Sequence, residues 1–250
     1  MNKDILFLIV VHNKSIIDVF ESNNRYSKLK NYKYLLVGNH SDIFNSEKII
    51  QCNTLPNNIE DRSNYLAYTG WYAAAHNPTL LQDYEYICFL EYDTDVDSDF
   101  SLEYFTNNVF TKQLNCYGIN LMDNINVLFE RSPFTTKLIQ FLIKNGYNEI
   151  KPNNNNWIVT NNVVFKTNFL LDYFNDELTI SFLEYLQNDK MSGHFLERFL
   201  SVFCFIKNIQ FDTVLNNNLT HRGYDSHNTQ NIYSSSRGYE QFKAANQISN

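Results

Sequence analysis

Apolar residues in this chain arrive in short unbroken runs, set between segments of helical spacing. Lys3–Val11, Tyr32–Val37, Lys48–Cys52 and Tyr86–Leu90 are dominated by apolar residues, with no regular polar alternation in the first and last. That is the pattern of strands covered on both faces. Helical segments are expected to start at Ile16–Phe20 and to run from Ile59 to His76, the latter bracketed by Pro56 and by Asn77-Pro78. Strands alternating with helices predict an α/β domain with a mainly parallel central sheet. In the second half, strands are expected at Tyr117–Leu121, Val127–Glu130, Trp157–Phe165 and Ile209–Leu215. Helices are expected at Phe134–Asn145, Phe169–Phe174, Ile180–Gln187 and Gly193–Lys207. Ser132-Pro133 supplies a cap and a first-turn proline for the first of these, and Gly146 its stop. Ligands of parallel sheets sit beyond the carboxyl ends of the strands. His12-Asn13 and Asp93-Thr94-Asp95 fall at such ends, which makes them candidates for ligand contact.

The strand Tyr86–Leu90 runs straight into acid: Glu91, Asp93, Asp95, Asp97 and Asp99 alternate with other residues. Residues two apart in an extended chain point to one side, so these carboxylates are expected to converge on one patch. Two carboxylates about 4 Å apart repel by about 1 kcal/mol in water and about 4 kcal/mol at an effective dielectric near 20. A cation would offset that repulsion, and hard oxygen ligands suit Mn²⁺, Mg²⁺ or Ca²⁺. An EF-hand loop is excluded: Ser98 stands at the turn-glycine position and Tyr104 at the final Glu position.

Composition narrows the class. At 250 residues and 44% hydrophobic, the chain can bury one substantial core. A net charge of −7 argues against a nucleic-acid polymer as partner. Cys52, Cys88, Cys116 and Cys204 are far apart with no Cys-x-x-Cys pair, and read as reduced residues of a cytosolic-type compartment. The opening apolar run is too short to cross a membrane. From Asn228 onward the chain is polar, so one domain over 1–227 and a tail over 228–250 are expected.

Three further clusters carry chemistry. In Met191–Phe205, helical spacing places His194, Glu197, Arg198 and Ser201 on one face of an otherwise apolar helix. Such a stripe must find partners, and Glu197 is a candidate base, with Asp123 second. His221 follows the last strand beside Arg222, a natural phosphate partner, and His227 is nearby. Glu60-Asp61-Arg62-Ser63-Asn64 opens the expected long helix, with Arg62 the residue assigned to ligand contact.

The order of first strand, Arg/Asn-bearing helix, hydrophobic strand with Asp93-Thr94-Asp95, and late His221 resembles GT-A glycosyltransferases. Thr160–Phe203 is also similar to bacterial capsule-type glycosyltransferases, in an Asn-rich strand and a Gly-…-Leu-Glu-Arg-Phe helix. The resemblance implies a single Rossmann-like GT-A domain and a nucleotide-diphosphate sugar as donor, a UDP-sugar foremost. It implies a glycan or other hydroxyl acceptor, and Mn²⁺ or Mg²⁺ as cofactor. Asp95 would bind that ion directly, Asp93 would serve ion or ribose, His221 would be a late metal ligand, and Asn162 would face the substrate. His12, Asn13, Arg62 and Arg222 are the other expected donor contacts; if the reaction inverts, Glu197 is the expected base, and if it retains, Glu197 orients the sugar. Two alternatives stand: a haloacid-dehalogenase-type phosphatase using Asp93 as nucleophile, and a non-catalytic sugar- or nucleotide-binding protein of the same fold.

Overall fold

The computed structural model describes residues 4–119, 121–122, 133–147, 157–158, 160–189, 192–213 and 218–221. Its centre is a seven-stranded sheet built from β1 (Ile5–Val11), β2 (Tyr32–Leu36), β3 (Ile49–Gln51), β4 (Tyr86–Glu91), β6 (Cys116–Gly118), β9 (Val163–Lys166) and β10 (Phe211–Thr213). The order across the sheet is β10-β6-β9-β4-β1-β2-β3. All strands are parallel except β9, which lies antiparallel between β4 and β6. The expected mainly parallel α/β architecture is the one found.

Alternate residues of the buried strands feed two cores. Leu6, Leu8, Val10, Ile87, Phe89, Val163 and Phe165 face one side. There they pack with α2 (Tyr68–Ala75), α4 (Pro133–Lys144), α5 (Thr167–Asn175), α6 (Glu177–Tyr185) and α7 (Ser192–Ile206). Ile5, Phe7, Ile9, Val11, Cys88, Leu90 and Val164 face the other. These meet α1 (Lys14–Ser22) and α3 (Leu102–Lys112). Helices on both faces explain why β1 and β4 show no polar alternation. All four cysteines are buried and free, with the Cys116 and Cys204 sulfurs 3.7 Å apart. No helix among the described residues is long and apolar enough to cross a membrane.

Several boundaries differ from expectation. The helix expected from Ile59 to His76 is a short turn at Ser63–Tyr65 followed by α2. The break is Leu66, at φ +53° and ψ −133°, a conformation an L side chain adopts only under tertiary constraint. The constraint is α7: a Cβ added to Gly193 would lie 2.6 Å from Leu66 Cδ1, so the glycine is what lets the helix seat on this turn. The strand expected over Trp157–Phe165 is two pieces, β8 (Trp157–Ile158) and β9, and β8 pairs with β7 (Leu121–Met122). Helix α3 has no counterpart in the expected elements, although the Ser101 side chain caps it by accepting from the Tyr104 N–H. Two short strands complete the picture. β5 (Thr94–Val96) pairs antiparallel with β11 (Leu219–His221) in a separate small sheet. The expected strand at Val127–Glu130 and the tail 228–250 lie outside the described residues.

Candidate functional site

Strand β1 leads to α1 and on to β2 on one side, whereas β4 flanks it on the other. The crevice at their carboxyl ends is therefore the switch point where ligands of open parallel sheets bind. Val10 pairs with Glu91, and continuing that register sets His12 beside Asp93. The rings of His12 and Tyr92 meet edge to face at 4.9 Å. His12 reaches solvent, yet crowding by protein, with His40 nearby, lowers its pKa; Asp93 acts in the opposite direction. Asn13 caps α1, its side-chain oxygen accepting from the Ser15 N–H at 2.9 Å, so the positive end of that helix opens at the crevice.

Because β9 runs antiparallel, it is the start of this strand, not its end, that reaches the same edge. Phe89 pairs with Val163, and extending the register by two places Asn161 across from Glu91. Asn161 Nδ2 donates to Glu91 Oε1 at 2.9 Å and to Glu197 Oε1 on α7 at 3.3 Å. The Glu197 Oε2 atom lies 3.4 Å from Arg198 Nη1 and 3.8 Å from His194 Nδ1. Arg198 also donates to the His194 carbonyl. Ser201, the last member of the polar stripe, is buried and accepts from the Ile158 N–H at 2.9 Å, so its role is to hold β8.

Asn162 points to the opposite face. It is fully buried, and its Oδ1 accepts from the Glu91 N–H at 2.8 Å and the Thr94 hydroxyl at 2.9 Å. The Tyr26 hydroxyl donates to the Thr94 carbonyl at 3.1 Å. Asn162 thus secures the turn that presents Asp93, where a substrate-facing side chain was expected.

The acidic residues do not converge on one patch. Glu91 goes to Asn161, Asp95 forms an ion pair with Arg25, and Asp97 accepts from the Thr220 hydroxyl at 2.8 Å. The turn at Tyr92-Asp93 carries the chain out of the main sheet into the small one, which breaks the alternation that would have aligned the carboxylates. Arg25 is nearly buried and lies 4.5 Å over the Phe20 ring.

Strand β11 brings the backbone of His221 opposite Thr94, next to the acidic turn. Asp93 acts on His12, Asp93 and Asp95 both act on the buried Tyr26, and Asp95 is paired with Arg25. Among the described residues no three His, Cys, Asp or Glu side chains converge to hold an ion. While Arg25 holds Asp95, that carboxylate is committed to a guanidinium and not to an ion shared with Asp93. Arg222, His227 and Asp123 lie outside the described residues.

The Glu60–Asn64 cluster divides. Arg62 donates to the Tyr65 hydroxyl at 3.4 Å, and Asn64 donates to Ser192 Oγ at 3.0 Å, tying this turn to the start of α7. Glu60, a residue of that cluster with no role assigned to it, is 1% exposed and accepts from the Gly38 N–H at the carboxyl end of β2. Burial raises its carboxyl pKa, opposed by the Gly38 N–H, the Thr69 hydroxyl and His40. The unfolded chain ionises this group first, so folding stability is lost as pH rises from the ordinary value of 4.5 through the raised one. Glu60→Gln keeps an oxygen for Gly38 and has no charge to bury. Its melting temperature should exceed that of the parent at pH 7, and the gain should vanish at and below about pH 4.5; a pH-independent difference would refute the assignment.

No protein-family model matches the chain, and no curated protein matches it. Among solved structures it is similar to the mannosyltransferase Ktr4p from S. cerevisiae in complex with GDP. The identity is 15% and the TM-score 0.41, over 83% of this chain and 68% of that one.

Proposed function

We propose that this chain transfers a sugar from a nucleotide-diphosphate donor, a UDP-sugar foremost, to a hydroxyl acceptor such as a glycan. The observation that carries the reading is the meeting of two carboxylates, Glu91 and Glu197, with the Asp93 turn at the carboxyl edge of the parallel sheet. The donor's diphosphate would lie against the amino end of α1, where the helix dipole and the His12 N–H offset charge that grows as the bond to the sugar breaks. Asp93 would accept hydrogen bonds from ribose or sugar hydroxyls. Glu197 would take the proton of the acceptor hydroxyl as its oxygen attacks the anomeric carbon. The electron pair of the old carbon–oxygen bond leaves with the diphosphate, through an oxocarbenium-like state, and configuration inverts.

A panel of nucleotide-sugars tests this, each measured with Mn²⁺, with Mg²⁺ and with EDTA. One donor should release its nucleotide in the presence of a hydroxyl acceptor and should stabilise the fold. At 100 times its dissociation constant the stabilisation should be about 2.7 kcal/mol. Release of inorganic phosphate from phosphomonoesters, with no response to any nucleotide-sugar, would support the phosphatase alternative. Binding of a nucleotide-sugar without turnover would support the non-catalytic one.

A further inference from the structure

Only two residues, Tyr92 and Asp93, separate the last residue of β4 from the first of β5, and the chain on either side of them is gripped by buried side chains. On one flank the Asn162 oxygen accepts from the Glu91 N–H at 2.8 Å and from the Thr94 hydroxyl at 2.9 Å. On the other, the Tyr26 hydroxyl donates to the Thr94 carbonyl at 3.1 Å. Tyr26, Thr94 and Asn162 are all buried. The Tyr26 ring is itself held edge to face against Phe20 of α1 at 5.4 Å and Tyr34 of β2 at 6.2 Å. A ring locked by packing offers its hydroxyl from one fixed point. Its neighbours continue the grip on β5 and beyond: Arg25 pairs with Asp95, and Lys28 donates to the Asp97 carbonyl at 3.0 Å.

We propose that Tyr26 and Asn162 are positioning residues, a two-sided clamp that fixes the Tyr92-Asp93 turn in one conformation before any ligand arrives. This rests on the reading of Asp93 as the acceptor of donor hydroxyls. One short stretch of chain then builds both halves of the donor site. Asn13 opens α1, where the diphosphate is proposed to lie, and residues 25–28, after that helix, hold the strand that follows Asp93. The gain is preorganisation: a carboxylate already in place loses no conformational freedom when the donor binds.

Two substitutions open the clamp with almost no change of shape. Tyr26→Phe removes the hydroxyl on one flank, and Thr94→Val removes the hydroxyl that Asn162 holds on the other. ¹⁵N relaxation of the full-length protein reads the backbone of the turn with no ligand present. In the parent, the Tyr92 and Asp93 amides should be as rigid as strand β4, with order parameters of about 0.85. In the double variant they should fall to about 0.6 or below, while those of Ile87–Leu90 stay at the parent level. A turn already mobile in the parent, or as rigid in the double variant as in the parent, would overturn the inference. Should the double variant not fold, each single variant is read in its place. The functional half is a cycle with Asp93→Ala, read by calorimetry as the dissociation constant of UDP-glucose in the presence of Mn²⁺. Opening the clamp should weaken binding by about 10-fold or more when Asp93 is present and change nothing once it is alanine. No loss with Asp93 present, or an equal loss in both backgrounds, would overturn the positioning role, since a clamp that serves only the fold does not act through Asp93. A parent that binds no UDP-glucose, or an Asp93→Ala protein that binds it as the parent does, would instead sink the reading of Asp93 as a donor contact. The order parameters then decide the clamp by themselves.

Discussion

Glu197→Gln should lower the rate of sugar transfer by about 10²–10⁴-fold while leaving donor binding close to that of the parent. The side chain is only 20% exposed, with one oxygen on Asn161 and the other beside Arg198 and His194. Glutamine keeps the shape and one acceptor oxygen, so the fold should persist. What it removes is the ability to take a proton from an acceptor hydroxyl. Rates and donor affinity measured separately decide the matter, since loss of a base lowers kcat without weakening the donor complex. The anomeric configuration of the product, read by NMR, is the second check. Retention would leave no proton for Glu197 to remove by the proposed path, and full activity in the variant would exclude it as the base.

The second large effect concerns Asp95. As one member of a run of mutually repelling carboxylates, Asp95 would be removable with the fold intact or even stabilised. The ion pair with Arg25 reverses that expectation. The Arg25 side chain is 11% exposed, Asp95 23%, and the guanidinium stacks on Phe20. Removing one partner of a buried pair leaves the other desolvated without its counter-charge. Asp95→Ala should therefore destabilise by about 2–3 kcal/mol, less than a fully buried pair would lose because Asp95 keeps some solvent. In a domain of this size that corresponds to a fall of roughly 5–10 °C in melting temperature. Denaturant unfolding of Asp95→Ala, Arg25→Met and the double variant measures the coupling directly. The double variant should be less destabilised than the sum of the two single ones. An Asp95→Ala protein as stable as the parent would mean that the carboxylate is not committed to Arg25 and is available to a ligand.

Much of the framework was legible in the residues themselves. Apolar runs without alternation at Ile5–Val11 and Tyr86–Leu90 require strands covered on both faces, and the helical spacing between them supplies the covers. Because these runs are parallel strands, their carboxyl ends had to share one edge, and His12 and Asp93 do meet there. The apolar helix with a polar stripe at His194, Glu197 and Arg198 was also visible, as was Glu197 as its chemically interesting member.

Partner choice was not local and could not be read in this way. No signal near residue 161 says that β9 inserts antiparallel between β4 and β6; that pairing alone turns the start of the strand toward the site. The break at Leu66 comes from helix α7, contributed by residues more than a hundred positions later, pressing Gly193 against it. The acidic run looked like one patch because alternation was carried through a turn that in fact delivers Asp95 to Arg25 and Asp97 to Thr220. The backbone of His221 reaches the acidic turn through the pairing of β11 with β5, a contact between segments separated by about half the chain. Local pattern determined which segments are strands, which are helices and where the strands end. Long-range pairing and the neutralisation of charges on burial decided which side chains face one another, because both depend on contacts that exist only once the chain has closed on itself.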